Sequence, residues 1–117
     1  MRFLMLISGE ESAWSGTDEA TQAVMGQIRD WYARWLPTGK VLPGGAMLGP
    51  AAATRTVGTD AAGRVTVTDG PYVELKDVVG GIVPLDVADA DEAVAIAATW
   101  PGIVPFRETV EVRPVMN

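Results

Sequence analysis

Phe3 to Ile7 is a short unbroken apolar run, the pattern of a strand buried on both faces. Beyond it the period changes. Val24, Ile28, Trp31, Trp35 and Leu36 recur at three- and four-residue spacing, which predicts a helix with one apolar face. Thr17, standing before Asp18 and Glu19, is its expected N-cap, and Pro37 and Gly39 end it. Val41, Leu42, Met47 and Leu48 flank Gly44-Gly45, giving two short strands around a bulge or bend. Thr54 to Val57 and Arg64 to Thr68, separated by Asp60-Ala61-Ala62-Gly63, are rich in β-branched residues and predict a hairpin. Asp69-Gly70-Pro71 forces a turn before a further strand over Gly80 to Val87. Asp89 and Glu92 have capping-box spacing, and Ala93, Ile96, Ala97 and Trp100 form the apolar face of a second helix that Pro101-Gly102 stops. Thr109 to Val115 is a last strand, which Pro114 places near an edge or at its own end.

The order strand, helix, several strands, helix, strand is that of an α+β protein. Both helices can pack on one face of a mostly antiparallel sheet, a ferredoxin-like arrangement with an extra hairpin in its middle. A chain of 117 residues supports one domain, residues 1–117, with a single core. Helices on one face leave the other apolar face of the sheet uncovered, so a homodimer is expected.

Composition narrows the function. Apolar residues make up 48% of the chain and charged ones 21%, which leaves ample material for a core. Nine basic against fifteen acidic residues give a net charge of −6, with no basic run to attract a phosphate backbone or an acidic membrane surface. Nucleic acid and membrane are therefore not expected partners. A local patch such as Arg29 with Arg34 could still meet one small anion. There is no cysteine, hence no disulfide, thiolate nucleophile or Cys-ligated metal, and no histidine. Without either, only an all-oxygen metal site is chemically open, and no EF-hand spacing occurs, so no metal or other cofactor is expected. The opening apolar run is shorter than a signal-peptide core and ends in Gly9-Glu10-Glu11, which points to a first strand and a cytoplasmic protein.

Candidate chemistry concentrates in the segment Thr68 to Gly81. If the chain is extended after the turn, Tyr72, Glu74 and Lys76 share one face at strand period and could line a cavity. Lys76 would hold an anionic or carbonyl group, Glu74 or Asp69 would move a proton, and Tyr72 would wall the site. The alternatives are plain: the Asp69 side chain holds the turn by accepting from nearby backbone N–H groups, and Glu74 and Lys76 form a solvated ion pair. Trp31 and Trp35 lie on the core or dimer face of the first helix, whereas Trp14, in a loop, is a ligand-stacking candidate. Arg113, near the end of the last strand, is a further binding candidate.

The segment Asp69-Gly70-Pro71-Tyr72, with Glu74, Lys76, Asp77 and Gly80-Gly81 at fixed spacing, resembles the DGPF-domain branch of the YCII-related family. The resemblance extends to Met1 to Glu11, Gly44-Gly45, Asp86-Val87 with Asp91-Glu92-Ala93, and Glu111 to Val115. It implies a dimeric α/β barrel, two ferredoxin-like sheets packed face to face, with a small pocket in each subunit. It implies no particular reaction. Many members lie in gene neighbourhoods with extracytoplasmic-function sigma factors, and some distant relatives use a His–Asp pair that this histidine-free chain lacks. The expected function is a dimeric small-molecule-binding domain. Its alternatives are a cofactor-independent enzyme using Asp69, Glu74 and Lys76, and an accessory protein of a sigma factor.

Overall fold

The computed structural model describes residues 1–72 and 76–116. Strand β1 (Arg2–Glu10) lies at the middle of an antiparallel sheet, paired on one side with β5 (Asp77–Asp86) and on the other with β6 (Thr109–Pro114). Two-residue β2 (Ala46–Met47) adds to the outer edge of β5, giving the order β2-β5-β1-β6. Strands β3 (Arg55–Thr59) and β4 (Val65–Asp69) form a separate two-stranded hairpin. Its turn is held by Asp60, which accepts from the backbone N–H groups of Ala62 and Arg64.

Pairing explains the alternation along β1. Phe3, Met5 and Ile7 stand opposite Leu85, Val83 and Gly81 on one side and Pro114, Val112 and Val110 on the other, and all three β1 residues are buried. Leu4 and Leu6, with partners Pro84 and Ile82, face the opposite way and are half-buried. The strand expected to be buried on both faces is thus fully covered on one.

Helix α2 (Glu19–Trp35) and helix α3 (Ala90–Ala97) cover that first face. The N-cap of α2 is Asp18, one residue beyond the expected Thr17; its carboxylate accepts from the Thr21 N–H at 2.9 Å. In α3 the expected box forms in a shifted version. Asp89 accepts from the Glu92 N–H, and the Glu92 carboxylate reaches back to the Ala88 N–H and to Lys40. Trp31 and Trp100 meet edge to face between the helices at 5.0 Å, and the Trp31 indole N–H donates to Thr99 Oγ1. Trp35, also on this face of α2, packs at the margin of the core beneath the Arg34 guanidinium.

Strand β5 begins three residues before the expected Gly80, because Asp77 to Val79 continue the ladder with Ser8 to Glu10 past a bulge opposite Ile7/Ser8. The expected strand near Val41 reduces to a single bridge to Leu85. Among the described residues no helix is long and apolar enough to cross a membrane.

Candidate functional site

The bulge in β5 sits beneath a side chain. Immediately after β1 the chain makes one helical turn, α1 (Glu11–Trp14), where the sequence suggests a loop; a single turn has no periodicity to read. This turn lays the Trp14 ring across the sheet. A β-carbon at Gly80 would come within 2.5 Å of that ring and one at Gly9 within 2.9 Å, so glycine at both positions makes the seat for the indole.

The Trp14 indole N–H donates to Glu108 Oε2 at 2.9 Å, and the Trp100 indole N–H donates to Glu108 Oε1, also at 2.9 Å. Each carboxyl oxygen is therefore held by one neutral donor. Glu108 is only 8% exposed, the one buried charged residue among those described. It precedes β6 directly, and the preceding residue, Arg107, has a φ of 53°, the only positive φ at a described non-glycine position. That left-handed step turns the chain just where the carboxyl enters the interior. Gly102 leaves the space it occupies, since a β-carbon there would collide with the carboxyl group. Burial pushes the Glu108 carboxyl above the ordinary range, against the two indole hydrogen bonds that pull it down.

Glu108, Trp14 and Trp100 border a cavity of about 690 Å³ between the sheet, α2 and the segment 45–50. Its wall is mostly apolar, with Tyr32 and Phe106 completing four aromatic residues beside Ile7, Met25 and Ile28. Burial raises the Tyr32 hydroxyl as well. Glu11 belongs to the wall and fixes its rim, accepting from the Ala51 N–H at 3.0 Å. Segment 45–50 approaches closely because residue 45 is glycine: a β-carbon there would lie 2.9 Å from the Tyr32 hydroxyl and 3.1 Å from the Ile82 carbonyl oxygen. A concave, largely apolar space, partly open to solvent and with a few fixed polar groups, is the usual form of a small-molecule site.

Of the residues suggested by sequence, Trp14 lines this cavity. Asp69, at the end of β4, has its side chain 91% exposed and pairs with Arg55 at 3.3 Å. Tyr72 is 90% exposed. Lys76 pairs with Glu10 at 3.3 Å, and Glu74 lies outside the described residues. Arg113 is opposite Leu4 on the sheet face turned away from the helices. Neither Asp69, Tyr72, Lys76 nor Arg113 contributes to the cavity wall, so the described part of the Asp-Gly-Pro-Tyr motif does not border it. Arg29 and Arg34, a local patch that could meet one small anion, are also absent from it. Nothing in the sequence pattern singles out Glu108. One glutamate between a loop and a strand carries no spacing signal, and its burial depends on Trp14, ninety-four positions away. Among the described residues no group of three or more His, Cys, Asp or Glu side chains is placed to hold a metal ion.

Residues 1–117 match the YCII-related domain over the whole chain. The chain belongs to the YCII-related family. Within it, an uncharacterized protein of Rhizobium meliloti (strain 1021) is 32% identical over 118 residues, an alignment covering 98% of this chain and 92% of that protein. Family membership therefore spans the sheet, both long helices and every residue of the Glu108 site, and leaves the chemistry of that site to be argued from its geometry.

Proposed function

We propose that this protein is a homodimeric small-molecule-binding domain whose ligand enters the cavity between α2, the sheet and segment 45–50. The observation that carries this reading is Glu108: a carboxyl group buried at the cavity wall, clamped by two indoles and, among the described residues, paired with no cation. Burying such a group costs stability unless something offsets it, and a ligand contact is a reason to maintain it. The cavity volume lies within the range of about 300–1,000 Å³ common for ligand sites.

The strand order β2-β5-β1-β6, with α2 between β1 and β2 and α3 between β5 and β6, supports a ferredoxin-like fold. The motif from Asp69 to Gly81 supports membership of the DGPF branch. Dimerisation into a face-to-face barrel would cover Leu4, Leu6, Ile82 and Pro84, the half-buried apolar residues on the helix-free side of the sheet.

A second reading, a cofactor-independent enzyme, draws support from the raised Glu108 carboxyl, which is better suited than an exposed glutamate to exchange a proton near neutrality. In that case the proton-moving group is Glu108, because Asp69 and Lys76 are exposed and engaged with Arg55 and Glu10.

A thermal-shift screen of a chemically diverse fragment set tests the binding reading. Ligands should raise the unfolding temperature of the wild-type chain and lose that effect in Met25→Trp, which adds bulk to the wall and leaves the Glu108 side chain itself unaltered. Ligands whose effect survives in Met25→Trp would place binding elsewhere. Turnover of a bound compound that disappears in Glu108→Gln would promote the enzyme reading.

A further inference from the structure

We propose that the Glu108 cavity is selective for organic cations: amine-bearing molecules with an aromatic or branched aliphatic body, whose ammonium group approaches the Glu108 carboxylate. This rests on the ligand-binding reading above and narrows it to one chemical class.

The charges on the wall have a single sign. Glu11 and Glu108 are the charged side chains among the described lining residues, and none of the nine Lys and Arg residues of the chain lines the cavity. The two indoles that hold Glu108 are neutral donors, so they orient its oxygens without neutralising them. A ligand ammonium supplies the missing countercharge. A ligand carboxylate or phosphate would face a second anion in a poorly screened space. The rings of Trp14, Tyr32, Trp100 and Phe106 add aromatic faces, which attract a cation as well as an apolar body. The net charge of −6 acts with the same sign at longer range. Ser15, Thr21 and Gln22 lie on the same wall and can take a further polar substituent.

Three matched probe sets decide the matter: arylalkyl amines such as tryptamine, their N-acetyl derivatives, and arylalkyl carboxylates of equal chain length. Each is titrated calorimetrically into the purified full-length chain near pH 8. The amines should bind about tenfold or more tightly than either counterpart, and Glu108→Gln should remove about that factor, as expected for loss of a charge-assisted contact. Should Glu108→Gln fail to fold, a pH series on the wild type serves instead. Amine affinity should fall as the pH is lowered and Glu108 takes up its proton, while N-acetyl affinity stays level. Glu11 and Tyr32 are the other titratable groups on the wall. Equal or tighter binding of neutral or anionic probes would overturn the cation preference and leave the ligand-binding reading standing. A level pH profile for the amines would overturn it too, and no binding by any set would overturn both.

Discussion

Gly102 faces the Glu108 carboxyl group with no room for a side chain: a β-carbon would collide with that carboxyl and lie 3.2 Å from the Trp100 indole nitrogen. Gly102→Ala must displace Glu108 or the turn that follows α3, and should lower stability by about 1–3 kcal/mol, the usual cost of overfilling a packed site. Urea denaturation against wild type measures it, and an unchanged midpoint would mean that Glu108 is not fixed as described. Glu108 also sets a pH dependence. Because its native carboxyl is raised by burial, the folded chain binds that proton more tightly than the unfolded chain does. Its contribution is fully present below the ordinary glutamate range and is lost as pH rises through the raised native value. Asp18 and Asp60, lowered chiefly by hydrogen bonds from the backbone of Thr21 and Arg64, act in the opposite sense at lower pH. Stability profiles of wild type and Glu108→Gln should therefore diverge with rising pH, the variant losing less. Parallel profiles would contradict a buried, raised carboxyl. None of this was legible beforehand. In the sequence pattern Gly9 follows the first apolar run, Gly80 opens a strand and Gly102 helps stop a helix; the side chains they make room for, Trp14 and Glu108, are set by the tertiary fold.

At the level of elements much more was readable, because helices and strands follow from local period and end signals. The apolar faces of α2 and α3, the Asp89–Glu92 capping pair, the β3–β4 hairpin and the Pro-terminated β6 all follow the pattern. Differences arise where a tertiary contact decides, as in the extension of β5 along β1 and the single turn of α1. Capping gives a direct contrast between a structural and an exposed aspartate. Asp89→Ala removes an N-cap acceptor from α3 and should cost about 1 kcal/mol. Asp69→Ala removes an exposed ion pair with Arg55 and should cost about 0.5 kcal/mol or less. The turn-holding role suggested for Asp69 predicts a loss of about 1 kcal/mol or more. Thermal unfolding of the two variants separates these expectations. At this position the chain bends at Gly70, and Thr56 Oγ1, which donates to the Gly70 carbonyl at 2.7 Å, supplies a side-chain bond to the bend.

The whole molecule is extended for its size. Its radius of gyration is 16.2 Å, where a compact chain of this length has about 13 Å. The β3–β4 hairpin exposes Val57, Val65 and Val67, which share one of its faces by register. A two-stranded hairpin alone is marginally stable, and the helix-free side of the main sheet carries half-buried Leu4, Leu6, Ile82 and Pro84 beside Arg113 and Glu111, so the apolar strip of that face and the exposed valines fit a chain that works as a pair. Sedimentation equilibrium should give twice the chain mass of 12.4 kDa; a monomer at micromolar concentration would remove the dimer and the barrel with it. The central claim, that the Glu108 cavity is the ligand site, is tested most directly by two-dimensional NMR of the tryptophan indole N–H groups during titration with an aromatic amine. The Trp14 and Trp100 signals, whose protons point at Glu108, should shift together, while that of Trp35, which does not line the cavity, shifts less. Shifts confined to backbone amides around Tyr72 to Lys76, with the Trp14 and Trp100 indoles unmoved, would contradict the account.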